Sequence, residues 1–191
     1  MMEEANPLEP APIPEIFHSF ETGSPFTLCL ECRSDLMTGQ PYLIEKAFKN
    51  HIEFQVKDTV YDYALCMNCA EQIKNEMSKE SVASIMQFFA ERLNPAEHIS
   101  RMHLSPLQNI ETCMITGKKM DECPEYQIYA YCVNNTISAE MPPYMVSGEV
   151  MEDILPILSK KTKDDLDGFF NKHFAPDPSL MEPVGPKFVL I

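Results

Sequence analysis

The sequence predicts an α+β fold made of two tandem, homologous units, each running from a cysteine-containing turn through a β-hairpin into a helix. Two C-x-x-C pairs, Cys29–Cys32 and Cys66–Cys69, mark the turns of the first unit. Apolar residues alternate between these pairs, as in strands, and recur every three or four positions after them, as in an amphipathic helix. The second half of the chain repeats this order of patterns.

The elements of the first unit can be assigned in order from these patterns. Apolar alternation predicts four strands, at 26–32, 42–48, 51–56 and 59–65. Lys57–Asp58 is expected to form the turn between the last two strands. One apolar face predicts a helical region over 73–93, which the segment Ser78–Ser81 can interrupt because serine prefers helix caps. Pro95 is expected to end the region.

The second half resembles the first when the chain is compared with itself. At a numbering offset of 84, Cys29 coincides with Cys113, and a short deletion in the loop changes the offset to 81. Between residues 78 and 95, five of 18 positions are identical at the offset of 81. About one identity is expected there by chance, given ordinary composition. The sequence therefore predicts an internal duplication.

These patterns divide the chain into five segments. They are an extended, Pro- and Glu-rich arm at 1–24, the first unit at 25–95, a connector at 96–109, the second unit at 110–176 and a Pro-rich tail at 177–191. The tail carries the apolar run Phe188–Ile191, which is expected to add a strand or to fill a groove, on this chain or on a partner.

Four cysteine thiolates from two C-x-x-C pairs can complete a tetrahedral metal site. The candidate ligands are Cys29, Cys32, Cys66 and Cys69, and the expected ion is Zn²⁺. A helix that begins beside the second pair adds partial positive charge, which favours thiolate. Four sulfurs leave no position for water or substrate, so the site is expected to be structural. Iron in a rubredoxin-like site, and redox-active or disulfide-forming thiols, are the alternatives.

A cysteine turn, a hairpin and a helix that carries the second ligand pair in its first turn resemble the treble-clef zinc finger. The three-stranded zinc ribbon is a near alternative, although a ribbon would not run straight into a helix. The resemblance is to this fold group as a whole; it covers about residues 26–95 and, in weaker form, 110–176. It implies that a knuckle supplies two ligands and a helix N-terminus supplies the other two.

The second unit lacks three of the four ligands. Cys113 keeps its cysteine, whereas Thr116, Ser147 and Val150 stand at the other three positions. The second unit is therefore expected to be a degenerate, metal-free repeat in which packing replaces the ion. A rebuilt site is the alternative, and its ligands would be Cys113, Cys123, Cys132 and a histidine such as His173.

Bulk composition excludes several classes of function. A formal charge of −14, from 29 acidic and 15 basic residues, argues against binding to nucleic acid or anionic lipid. No apolar run approaches the ~18 residues of a membrane span. The N-terminal sequence lacks the apolar core of a signal peptide, and seven cysteines favour metal binding over a secreted disulfide framework. We therefore expect a cytoplasmic location.

The sequence contains no G-x-S-x-G, P-loop or H-E-x-x-H motif, and no group of residues suggests an enzyme. The expected function is that of an intracellular adaptor which presents a zinc-stapled surface to another protein. The alternative is a thiol-based redox or metal sensor that uses the same cysteine pairs.

Overall fold

One antiparallel sheet of five strands, with helices packed against it, gives the α+β architecture that the sequence predicts. The computed structural model describes residues 11–174, apart from the side chain of His98. The first ten residues of the predicted arm and the predicted tail at 177–191, with its apolar run, lie outside the described residues. The strands are β1 (Pro41–His51), β2 (Val56–Cys66), β3 (Glu125–Val133), β4 (Thr136–Ile137) and β5 (Tyr144–Ser147).

The strand order is β2–β1–β3–β4, and β5 pairs with a different stretch of β3 from β4. The α-helices are α1 (Met67–Glu76), α2 (Lys79–Arg92), α3 (Pro95–Arg101), α4 (Pro106–Ile110), α5 (Gly148–Ile154) and α6 (Lys160–Phe174). Short 3₁₀ turns lie at Glu15–Phe17, Ile52–Phe54, Met120–Glu122 and Leu155–Ile157.

The first hairpin is longer than predicted. β1 and β2 have 11 residues each, so the strands predicted at 51–56 and 59–65 are replaced by the end of β1 and one continuous β2. The turn lies at Ile52–Gln55 rather than at Lys57–Asp58, and Gln55 closes it in the left-handed region at φ 51°. The strand predicted at 26–32 is only a single bridge between Leu28 and Asp35. Ladder pairing, which local alternation does not encode, decides where these strands end.

The predicted interruption of the helical region is present. α1 ends at Glu76 and α2 begins at Lys79, with Ser78 as the N-cap whose side chain accepts a hydrogen bond from the Ser81 amide at 3.1 Å. Pro95, predicted to end the region, is the first residue of α3. Proline suits this position because the first helical N–H has no intrahelical acceptor.

The register between β1 and β3 is symmetric with respect to the offset of 84. Tyr42 pairs with Cys132, and their counterparts at this offset, Tyr126 and Phe48, pair with each other. Glu45 pairs with Tyr129, its own counterpart, in the middle of the ladder. The central strand pair of the sheet thus joins the two halves of the chain through matching positions.

Residues 11–18 lie against the sheet. Pro12 bridges to Thr136 next to β4, and Phe17 is fully buried. The Lys46 ammonium donates a hydrogen bond to the His18 carbonyl oxygen and lies 3.4 Å from an Asp62 carboxylate oxygen. Part of the predicted arm therefore contributes to the core.

Two long helices, α2 and α6, meet at their N-termini. The Ser159 amide donates to Ser81 Oγ at 2.8 Å, and the Ser78 amide donates to Thr162 Oγ1 at 2.9 Å. Each helix therefore has an N-terminal backbone donor satisfied by a hydroxyl of the other. The accepting residues, Ser81 and Thr162, are both fully buried.

The sheet face beneath α6 contains a buried acidic group among tyrosines. The Tyr61 and Tyr63 hydroxyls donate to the two Glu45 carboxyl oxygens at 3.0 and 2.6 Å. Phe169, Phe170 and Phe174 of α6 pack on these tyrosine rings with centroid distances of 5.0–5.7 Å. Burial raises the pKa of Glu45 to about 8, against the opposing effect of the tyrosine hydrogen bonds.

Candidate metal centre

A tight turn presents the first cysteine pair. The Cys29 amide donates to the Ser34 carbonyl at 2.9 Å, and the Arg33 amide donates back to the Cys29 carbonyl at 3.0 Å. Arg33 adopts a left-handed φ of 61° to close this turn. We call the segment Cys29–Ser34 the knuckle.

The second pair lies where a strand becomes a helix. β2 ends at Cys66, which is the N-cap of α1, and Cys69 is the third residue of that helix. The Leu30 amide donates to the Ala64 carbonyl at 2.8 Å, so the knuckle is bonded directly to the end of β2. Local sequence forms each pair, and this backbone contact brings the pairs together.

The four sulfurs have the spacing of a tetrahedral metal site. All four Sγ atoms lie within 4.8 Å of one another, and Cys32 Sγ lies 3.8 Å from Cys66 Sγ. A tetrahedron with metal–sulfur bonds of about 2.3 Å has edges of about 3.8 Å. A disulfide would require a separation of about 2.05 Å, and all seven cysteines are free thiols. The cluster therefore fits a thiolate-preferring metal ion.

The pKa shifts of the thiols depend on burial and hydrogen bonding. Burial is the main cause that raises the pKa of the Cys29 and Cys69 thiols. The Ser34 side chain, followed by the Ser34 amide, lowers the pKa of the exposed Cys32 thiol to about 6. A bound dication would favour thiolate at all four positions, because its charge outweighs these local effects.

An acidic residue of the knuckle, Glu31, forms hydrogen bonds with two residues of α6. Glu31 accepts a hydrogen bond from the Lys172 ammonium, and its other carboxylate oxygen lies 2.6 Å from His173 Nε2. The hydrogen bond from Lys172 is the largest cause that lowers the pKa of Glu31. α6 follows Ser159 in the second half of the chain, so this contact holds the candidate metal centre against the other half.

The second half contains a turn with the same backbone hydrogen bonds as the knuckle, but only one of the four candidate ligand positions is a cysteine there. The Cys113 amide donates to the Lys118 carbonyl at 2.8 Å, and the Gly117 amide donates to the Cys113 carbonyl at 2.9 Å. Gly117 adopts a left-handed φ of 69°. The Met114 amide donates to the Met145 carbonyl at 2.9 Å. The same three hydrogen bonds are present at the first knuckle, between the residues that correspond to these at the offset of 84 or 81.

Amide donors surround the sulfur of Cys113 much as they surround that of Cys29. The Ser147 amide lies 3.4 Å from Cys113 Sγ, and the Cys66 amide lies 3.4 Å from Cys29 Sγ. Burial opposes ionisation of Cys113, but hydrogen bonds from Thr116 and from neighbouring amides outweigh it and lower the thiol pKa. Ser147 pairs with Tyr126 as Cys66 pairs with Tyr42, so the aligned positions correspond in space.

Within residues 11–174, the residues named for a rebuilt metal site in the second half do not come together. There the four cysteines already described are the one group of three or more potential ligands at metal-binding distances. Cys113, Cys123 and Cys132 do not join into such a group, although each is fully buried. His173 contacts Glu31 beside the first knuckle.

Sequence reasoning found the four cysteines but missed the residues that support them. Ser34 follows Cys32 by two positions, and a hydroxyl so close to a cysteine turn is a signal that could have been used. The contact of Glu31 with Lys172 and His173 joins positions more than 140 residues apart, and no local pattern indicates it.

The described helices include none long and apolar enough to cross a bilayer. Comparison of the chain with protein-family models, with curated proteins and with solved structures found no match to any of the three.

Proposed function

We propose that Cys29, Cys32, Cys66 and Cys69 hold one structural Zn²⁺ that stabilises the junction of the knuckle, β2 and α1. The observation that carries this proposal is the mutual separation of the four sulfurs within 4.8 Å. Thiolates favour Zn²⁺ over Mg²⁺ or Ca²⁺, and four of them saturate tetrahedral zinc. The ion's contribution is to fix the backbone, and the proposed role is non-enzymatic because no coordination position is left for a reactant.

The proposed fold is a pair of treble-clef-like units of common origin, the second of which no longer binds metal. Three features support it: the knuckle hydrogen bonds recur, the β1–β3 register is symmetric at the offset of 84, and Ser147 occupies the place of Cys66. Val150 and Met151, both buried, provide apolar packing in place of the ion.

The function that we propose for this scaffold is that of an intracellular, protein-binding adaptor. Apolar side chains are exposed around the tip of the first hairpin, and Phe54 is 75% exposed there. An exposed apolar cluster on a strongly acidic protein is suited to a protein partner with basic flanks. Nucleic acid and anionic membranes would be repelled by the same charge.

The test of zinc binding is elemental analysis of the full chain, purified without added metal. The expected result is one zinc per chain. The substitution of any one ligand, such as Cys69→Ser, should abolish stoichiometric zinc. A protein that folds and contains less than a tenth of an equivalent of any metal would refute the proposed site.

The test of the adaptor role is quantitative affinity purification from the native cell with two matched variants. Phe54→Asp changes the hairpin tip, and Met86→Asp makes the same polarity change on the exposed side of α2. A specific partner should be lost with Phe54→Asp and kept with Met86→Asp, with one zinc in both. Equal recovery from both variants would contradict a partner site at the hairpin.

The alternative of a redox or metal sensor is favoured by one observation. Cys32 is exposed and its sulfur lies 3.8 Å from that of the half-buried Cys66. Hydrogen peroxide could oxidise these two thiolates to a disulfide. The peroxide is reduced to water in this step, and the ion is released. Zinc release at micromolar peroxide, reversed by a dithiol, would favour the sensor over the adaptor.

A further inference from the structure

α6 belongs to the half of the chain that lacks the ligand set, yet it contacts three elements of the half that carries it. Its aromatic residues pack on two tyrosines of β2. The Lys161 ammonium donates a hydrogen bond to the carbonyl oxygen of Glu76, the last residue of α1. At the other end of α6, Lys172 and His173 contact Glu31 in the knuckle. These three elements are the ones that the candidate metal centre joins.

The contact between α6 and the knuckle is held in place by packing. The His173 side chain is only 11% exposed, and its ring lies 4.9 Å from the ring of Phe169. Its Nε2 lies 2.6 Å from one carboxylate oxygen of Glu31, and the Lys172 ammonium donates a hydrogen bond to the other. An isolated exposed ion pair contributes little because water screens it. This contact differs from such a pair because both carboxylate oxygens are engaged and one partner is buried.

The place of Glu31 in the sequence connects this contact with the ligands. Glu31 lies between Cys29 and Cys32, so its backbone is part of the turn that orients both sulfurs. Groups that orient metal ligands from outside the coordination sphere commonly change metal affinity by about 10- to 100-fold. Four thiolates around one dication also leave an excess of negative charge, to which an unpaired carboxylate in the same turn would add. Lys172 therefore offsets the charge of Glu31 as well as fixing its position.

The corresponding place in the second half provides an internal comparison. Ile115 occupies the position of Glu31 at the offset of 84, and an isoleucine side chain cannot accept a hydrogen bond. At the offset of 81, Glu91 and Arg92 of α2 stand where α6 has its two partners of Glu31. Arg92 lies over the Phe88 ring, 3.9 Å from its centroid. The acid and its partners are thus present in the half with four cysteines and replaced in the half that keeps one.

We propose that Glu31 is a positioning residue of the metal centre, and that Lys172 and His173 act through it to raise the affinity of the four cysteines for zinc. The half of the chain without the ligand set thereby supplies part of the support of the metal centre. This inference rests on the proposed zinc site and leaves its four ligands unchanged. Its consequence is that loss of either partner on α6 weakens zinc binding, although α6 donates no ligand.

The zinc affinity of the full chain, measured by competition with a chromophoric chelator, tests the proposal. Lys172→Met should weaken zinc binding about tenfold, the lower end of the range for groups outside the coordination sphere. His173→Phe, which keeps an aromatic ring beside Phe169, should act in the same direction. Lys160→Met removes a cation that pairs with Asp164 at the opposite end of α6. This control should leave the affinity unchanged within about twofold.

A second background shows whether Lys172 acts through Glu31. In the Glu31→Met protein, the further change Lys172→Met should alter zinc affinity by less than about twofold, because the residue through which the lysine acts is gone. A tenfold loss in both backgrounds would overturn the positioning role. Cobalt(II) titrated into each zinc-free protein should give the absorption of a four-thiolate site, which shows that the ligand set is retained.

A further variant separates positioning from general support of the fold. Ser159→Ala removes the hydroxyl that accepts a hydrogen bond from the Thr162 amide at the N-terminus of α6. It destabilises the helix away from the knuckle and should not change zinc affinity; a loss as large as that of Lys172→Met would overturn the proposal. An unaltered protein that takes up no zinc would overturn the proposed zinc site and this inference together. Normal zinc uptake with equal affinities in the unaltered protein and Lys172→Met would overturn this inference alone.

Discussion

The hydroxyl oxygens of Ser78 and Ser159 lie 2.9 Å apart, although 81 residues separate them along the chain. The two serines stand at the N-termini of α2 and α6 and are counterparts at the offset of 81. The Ser78 amide donates a hydrogen bond to the Thr162 hydroxyl of α6, and the Ser159 amide donates one to the Ser81 hydroxyl of α2. Matching residues of the two halves thus meet directly both here and at Glu45–Tyr129 in the sheet.

The interlocked caps should behave as one unit. Ser78→Ala and Ser159→Ala should each lower the free energy of unfolding by about 1–2 kcal/mol, because each removes a cap oxygen and disturbs the other helix. The double variant should cost clearly less than the sum, by about 0.5 kcal/mol or more. Urea denaturation of the four proteins measures the coupling. Ser84→Ala, on α2, is the control. Strict additivity of the Ser78→Ala and Ser159→Ala effects would contradict a shared cap.

The two halves should respond differently to loss of a thiol. Cys69→Ser should lower the free energy of unfolding by more than about 3 kcal/mol, because three thiolates hold the ion weakly and leave buried groups unpaired. Cys113→Ser should cost about 1–3 kcal/mol, the usual range for disturbing a buried hydrogen-bonded group. Thermal unfolding and zinc content of both variants provide the test. Equal damage would argue against metal in the first half alone.

The proposed loss of metal from the second half should be reversible by substitution. Thr116→Cys, Ser147→Cys and Val150→Cys together restore four thiols around a knuckle whose backbone bonds still match those of the first. We expect the triple variant to bind two zinc ions per chain. The same three changes combined with Cys113→Ser should bring the content back toward one. A triple variant that still holds one ion would show that the turn from Cys113 to Lys118 is not equivalent in space to the knuckle.

Glu45 should make the protein less stable as pH rises. Its pKa is raised by burial from 4.5 to about 8, so between these values the unfolded chain loses a proton that the folded chain keeps. The free energy of unfolding therefore falls across that window and levels off above about pH 8, by at most about 5 kcal/mol in total.

Urea denaturation at several pH values isolates this contribution. Glu45→Gln should remove the decline, because an amide does not titrate over this range. Loss of zinc at low pH affects both proteins and cancels in their difference. Glu53→Gln, a change to a glutamate at the hairpin tip, should retain the decline. Identical pH profiles for the unaltered protein and Glu45→Gln would contradict a carboxyl held protonated at neutral pH.

Much of the candidate site could be predicted from local sequence. C-x-x-C spacing is a property of single turns, so Cys29, Cys32, Cys66 and Cys69 could be assigned before any fold was known, and their sulfurs do lie together. Helical periodicity and cap preference likewise located the break at Ser78 between α1 and α2. These features are encoded within a few residues of one another.

Other features depend on segments that are distant in sequence. The hairpin turn at Ile52–Gln55 was missed because apolar alternation continues through it and is interrupted instead by the charged pair Lys57–Asp58. Pairing along the whole of β1 decides where β2 begins. The carboxyl of Glu45 gives no sign in the sequence of being buried beneath tyrosines. The bonds from Glu31 to Lys172 and His173 could not be anticipated from any spacing.

The amino-acid sequence by itself determined the four candidate ligands, the α+β class and the order of turn, hairpin and helix, because each follows from residues adjacent or nearly adjacent in the chain. The tertiary structure alone decided that β1 and β3 pair about Glu45 and Tyr129, that the N-termini of α2 and α6 cap each other, and that Ile13 and Phe17 belong to the core. The physical reason is that these contacts satisfy backbone groups and bury apolar surface between segments whose separation in sequence carries no periodic signal.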